Sequence, residues 1–142
     1  MAKDISDRLL AIVDGLPLRP GMRVLEIGCG PGAMAREMAR RIGDGKVVAI
    51  DRSARAIELA RSGSAPEMAA GALEFRQSAA EDFTLEPGEA SFDIAVAVRV
   101  GALDGRHPQA GVKARAAIRR ALGPEGKLFI DTRAPMEAGF LE

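Results

Sequence analysis

The residues of this chain best suited to chemistry are two carboxylates and three glycines at fixed spacing. An apolar run, Val24-Leu25-Glu26-Ile27, ends on an acid and breaks into Gly28-Cys29-Gly30-Pro31-Gly32. Glycines at alternate positions accept φ > 0 and remove every Cβ from the inside of the turn, so a ligand can lie against main-chain groups. The following stretch, Ala33 to Ile42, reads as a helix whose free N–H groups face the same spot. A second apolar run, Val47-Val48-Ala49-Ile50, closes on Asp51. An ionised carboxylate there can accept two hydroxyl hydrogen bonds at once. This is the build of a nucleotide-type ligand site.

Two readings of the turn remain open on spacing alone. Gly28-Cys29-Gly30-Pro31-Gly32-Ala33 satisfies GxGxx(G/A), and Asp51 stands about twenty residues on, where a dinucleotide's ribose is bound. That reading gives an NAD-binding oxidoreductase domain. An acid-x-Gly-x-Gly-x-Gly pattern uses Glu26 and Gly32 as well and accounts for more of the residues.

With that second pattern the chain resembles the class I S-adenosylmethionine (SAM)-dependent methyltransferases, in particular the small-molecule branch that includes quinone-biosynthesis enzymes. Four blocks carry the likeness: Val24 to Gly32; Val47 to Ser53; Phe75 to Leu85 with Ser91 to Val98; and Ile118 to Asp131. They span roughly residues 20 to 132 in the family's order. The resemblance implies that Glu26 attracts the amino group of the methionyl part, which lies along Gly28, Cys29, Gly30 and Gly32. It places Asp51 on the ribose, Arg52 beside the adenine, and Ala80 and Glu81 in the adenine-contacting segment with Asp82. Ala79 stands where the family often has an aspartate. Arg99 is assigned to the cofactor carboxylate or to an acidic substrate.

The implied activity is methyl transfer from SAM to a small, not strongly charged acceptor. A non-catalytic module that holds SAM or S-adenosylhomocysteine (SAH) beside a partner is the alternative. Methyl transfer from a sulfonium needs geometry more than acid–base groups, so no catalytic residue is assigned. In the loop of residues 99–108, His107 with Asp104 nearby is a candidate base, and an incidental loop histidine is the other reading. Cys29 sits at a helix start, which lowers thiol pKa, yet a small filler explains it better. No metal-ligand cluster is apparent.

Composition narrows the partners. A chain of 142 residues fits one domain, and 20 basic against 20 acidic residues leave no electrostatic footprint for nucleic acid. The chain has no Trp and no Tyr, which weighs against stacking RNA bases or caging quaternary amines. The start lacks a basic-then-apolar signal pattern, and no apolar run reaches the roughly twenty residues of a membrane span. One cysteine excludes an internal disulfide. A cytoplasmic setting is expected. Arg36, Arg40 and Arg41 are read as the solvent face of their helix.

Helices and strands alternate along the chain. The pattern predicts a helix from about Ser6 to Leu16 with Asp4 or Ser6 as cap, then others over Ala33–Ile42, from a Ser53 or Asp51 cap to Arg61, and over Ala110–Leu122. Strands are predicted at Arg23–Ile27, Lys46–Ile50, Leu73–Gln77, Phe92–Val98 and Lys127–Thr132, with a loop and short helix between 62 and 71. This is an α/β, doubly wound, Rossmann-like parallel sheet in a single domain. The resemblance implies strand order 3-2-1-4-5 without the usual last two strands, and a crevice where strands 1 and 4 diverge. Only Arg133 to Glu142 follow the fifth strand, so either this tail or a second copy must cover its edge. A homodimer is expected.

Overall fold

A computed structural model describes residues 5–141. In chain order it contains α1 (Asp7–Asp14), β1 (Arg23–Ile27), α2 (Ala33–Arg40), β2 (Lys46–Asp51), α3 (Ala54–Ser62), α4 (Ala65–Ala69), β3 (Leu73–Gln77), β4 (Phe92–Ala97), α5 (Pro108–Ala121), β5 (Leu122–Ile130) and β6 (Met136–Glu137). One sheet has the order β3-β2-β1-β4-β5-β6. All neighbours run parallel except β5 and β6. The expected order holds, with one short antiparallel strand added.

Local chemistry sets the helix starts. The Ser6 hydroxyl accepts the Leu9 N–H at 3.2 Å and opens α1, and the Ser53 hydroxyl accepts the Ala56 N–H at 3.1 Å and opens α3. Asp4, the other candidate cap for α1, lies outside the described residues. The central strands are buried on both faces, as near-continuous apolar sequence requires. Alternation sends Val24, Val47 and Ala49 to a core with Met34, Met38 and Ile57, while Leu25, Val48 and Ile50 meet Ala114 and Ile118. Helices α2 and α3 therefore cover one face and α5 the other.

Three differences from the sequence expectation have physical reasons. Strand β5 begins at Leu122 rather than Lys127, because Leu122 leaves α5 in extended conformation and pairs with Phe92 across a register shift. The tail turns back as β6 and pairs with Lys127 and Leu128, so the chain itself covers that part of the β5 edge. Arg36 does not face solvent. It is 8% exposed, and its guanidinium donates to the Pro31 carbonyl and the Ser64 hydroxyl, each at 3.0 Å. Arg40 and Arg41 do lie outward, paired with Glu37.

Candidate functional site

Strand β1 carries Glu26 to the sheet face that α2 covers, and the chain then turns sharply away. Gly28 has a φ of 72°, a conformation that favours glycine. The Gly28 and Cys29 N–H groups both donate to the Ile50 carbonyl, at 2.8 and 2.9 Å, which fastens the turn to the end of β2. From there Gly30 donates its N–H to Asp51 Oδ2 at 2.9 Å, and Ser53 donates its N–H to Oδ1 at 2.9 Å. Each Asp51 oxygen thus holds one bond and keeps capacity for another.

Glu26 is 3% exposed, and its Oε1 is buried without a hydrogen-bond partner. Burial, and then the neighbouring Asp51 carboxylate, push its carboxyl up to about 8, while Arg36 pulls the other way. At neutral pH this carboxyl holds its proton until a cation arrives. Burial foremost, followed by the Glu26 and Asp51 charges, also drives the Cys29 thiol above its ordinary value. That outweighs any lowering by the helix start and leaves an unreactive thiol.

A cleft of about 860 Å³ opens at the carboxyl ends of β1, β2 and β4. Of the residues singled out from sequence, Gly28, Asp51, Arg52, Ala80, Glu81 and Arg99 line it. Glu26, Cys29, Gly30 and Gly32 do not. Gly30 acts through its N–H on Asp51, and Cys29 packs in the core. At Gly32 a Cβ would stand 3.0 Å from Arg36, 3.1 Å from Phe75 and 3.2 Å from Ala60. The missing Cβ lets α2 approach β3 and α3 closely, which is a packing reason for glycine there. Glu26 is buried in β1, two residues before Gly28, which does line the cleft.

On the β3 side, Ser78 donates its N–H to the Asp51 carbonyl at 3.0 Å, and Ala80–Asp82 form a single 3₁₀ turn. Ser78 and Ala79 join Ala80 and Glu81 along the wall. Past β4 the loop of residues 99–108, expected from sequence beside the acceptor, supplies Val100, Arg106 and His107, and the start of α5 adds Gln109. A Cβ on Gly28 would meet Val100 Cγ2 at 2.8 Å.

The suggested Asp104–His107 pairing does not form. The Asp104 carboxylate receives Arg106 Nε at 2.8 and 3.0 Å and the Arg106 N–H at 3.1 Å. His107 is exposed at the start of α5 and donates its backbone N–H to the Gly101 carbonyl at 3.0 Å. Among the described residues, no three His, Cys, Asp or Glu side chains come together as metal ligands, and no helix is long and apolar enough to cross a membrane.

A family model described as a methyltransferase domain matches residues 24–126, from the middle of β1 to the middle of β5. The chain belongs to the methyltransferase-domain family. The class I likeness read from its motifs is thereby borne out. An O-methyltransferase of Penicillium expansum is 36% identical over 133 residues, 91% of this chain and 45% of that protein. A ubiquinone biosynthesis O-methyltransferase of Neisseria meningitidis is 33% identical, over 91% of this chain and 51% of that protein, and fits the quinone-like branch. The structure of Haemonchus contortus phosphoethanolamine N-methyltransferase 2 in complex with SAM superposes with a TM-score of 0.68 and 28% identity, over 87% of this chain and 27% of that one. This methyltransferase-family chain spans about half the length of those two sequence relatives.

Proposed function

We propose that this chain binds SAM in the cleft at the ends of β1, β2 and β4 and transfers its methyl group to a small-molecule acceptor. The observation that carries the reading is Glu26. A buried carboxylate oxygen with no donor, just before a glycine turn, calls for a cationic hydrogen-bonding group, and the amino group of a methionyl moiety is one. The other residues fit the rest of the cofactor. Asp51 keeps lone pairs for ribose hydroxyls at the cleft wall, while Arg52, Ala80 and Glu81 stand beside it for the base. An NAD reading leaves the Glu26 oxygen unexplained.

When bound, SAM supplies a sulfonium that carries its own leaving group and positive charge. The chain's part is to hold the acceptor in line, about 3 to 3.5 Å from the methyl carbon, and to exclude water. The loop of residues 99–108 forms the wall where that acceptor would lie. His107 lines it and is available as an optional base for acceptors that lose a proton.

The chain reads as one cofactor-binding domain. A cytoplasmic setting is supported by its single buried free cysteine, and zero net charge speaks against nucleic acid as partner. Pairing of two copies remains the oligomeric reading, because β6 covers only Lys127 and Leu128 of the stretch 127–130 that pairs in regular register with β4. A strictly monomeric hydrodynamic size at micromolar concentration overturns it.

Calorimetric titration with SAM, SAH and NAD tests the cofactor. Binding of SAM and SAH with none for NAD is expected. Tight NAD binding with none for SAM ends the methyltransferase reading. Transfer of radiolabelled methyl onto a panel of acceptors then tests turnover.

A further inference from the structure

The two ends of the cleft differ in what their side chains can pair with. The β2 and β3 end carries Asp51 and Glu81 beside Arg52. The end formed by the loop after β4 presents Arg99, Arg106, His107 and Gln109, and no carboxylate lines it. The nearest acids are already engaged. Asp104 holds Arg106, as described, and Asp131 accepts the Arg99 backbone N–H at 2.7 Å.

Arg99 is held in an unusual way. Its φ of 56° is left-handed, which disfavours a side chain by roughly 1–2 kcal/mol, so surrounding contacts must impose it. They do so from both sides: its N–H goes to Asp131, and its carbonyl accepts from the Arg106 guanidinium at 3.0 Å. Two side chains are thus spent on fixing the backbone of one cleft residue. The Arg99 guanidinium itself has no hydrogen bond or ion pair among the described residues. A planar donor array, unpaired, lining a cavity and anchored at a fixed backbone, matches a carboxylate.

We infer that the methyl acceptor is a small organic acid whose carboxylate is held by Arg99, the residue that sets specificity. This inference rests on the proposed function and replaces the weakly charged acceptor expected from composition. Charge balance over the whole chain concealed it, because whole-chain neutrality says nothing of which charges line the cleft. The first turn of α5, which has no side-chain cap, faces the same end of the cleft and adds a weak preference for negative charge.

The test uses the SAH-loaded protein and matched probes: 4-hydroxybenzoate, succinate and cinnamate, each against its neutral amide, titrated by calorimetry. At least one acid should bind about 10-fold or more tighter than its amide, the range expected for a charge-assisted pair. Arg99→Gln should abolish that preference while SAH affinity stays within about twofold and the melting temperature is unchanged. No preference in any pair, with or without measurable binding, overturns the inference. So does a variant that keeps the preference or instead loses SAH, since Arg99 would then serve the cofactor's own carboxylate. Failure of wild-type protein to bind SAH at all is a separate result and sinks the proposed function.

Discussion

Asp51 Oδ2 accepts the Gly30 N–H at 2.9 Å, joining the turn after β1 to the end of β2 across the mouth of the cleft. The same carboxylate takes the Ser53 N–H on its other oxygen, so one side chain orders both walls. Asp51→Asn must turn an amide NH₂ toward one of those N–H groups. The expected result is a loss of about 1–2 kcal/mol in stability together with an increase of about 10-fold or more in the SAM dissociation constant. Urea unfolding and calorimetry measure the two separately. A stability loss with unchanged SAM affinity would reduce Asp51 to a structural clasp.

The Glu26 carboxyl makes pH a probe of the site. Its pKa is raised from 4.5 to about 8, so the folded protein holds this proton more firmly than the unfolded chain does. The contribution to stability is therefore full below about pH 4.5, declines as pH rises toward about 8, and is flat above it. Between those two values the slope approaches about 1.4 kcal/mol per pH unit. Glu26→Gln should flatten that slope and be more stable than wild type at about pH 9. Binding of a cationic amino group should expel the proton, so SAM titrations near pH 7 in buffers of different ionisation enthalpy should report proton release that the variant lacks. The variant should also bind SAM about 10- to 100-fold more weakly. Equal slopes in the two proteins would refute the assignment.

Gly28 and Val100 both line the cleft and lie close together. A Cβ at position 28 meets Val100 Cγ2 at 2.8 Å and also suffers the φ of 72°. Gly28→Ala should lower stability by about 1–2 kcal/mol from the backbone alone, with a further loss from the contact. Adding Val100→Ala should recover only the second part. A double-mutant cycle on urea midpoints separates them. Strict additivity would show that the two residues do not touch.

Much of this arrangement was legible in the sequence. β1 and β3 fall at the expected residues because Pro20-Gly21 and Gly71 bound short apolar runs with sharp turn chemistry. The cleft residues Asp51, Arg52, Ala80 and Glu81 were found through strand ends, which a parallel sheet gathers at one edge. What sequence concealed were choices made by packing. Gly123-Pro124-Glu125-Gly126 reads as a turn and does fold back, since a Cβ on Gly126 would stand 2.9 Å from Leu122 Cβ, but no spacing announces that Leu122 before it already pairs with Phe92. The acids that serve Arg99 and Arg106 are engaged by loop geometry that no spacing announces.

Arg36 is the sharpest case, since a charge on a helix surface reads as solvated. Space for it exists because Gly32 and Gly63 lack side chains: a Cβ on either would come within 3.0 or 3.1 Å of its Nη1. Its guanidinium fixes the Pro31 carbonyl in the glycine turn and satisfies Ser64, which is fully buried. Arg36→Met keeps the apolar stem and removes the charge, which leaves that hydroxyl without this donor and Glu26 without a counter-charge. Stability should fall by about 2–4 kcal/mol. The Glu26 midpoint, followed by carbon NMR of its carboxyl, should move above about 8, because Arg36 is what holds it down. A structural loss with the Glu26 midpoint unmoved would show that Arg36 only packs. An upward shift would make it the residue that limits how far burial and Asp51 raise the Glu26 carboxyl.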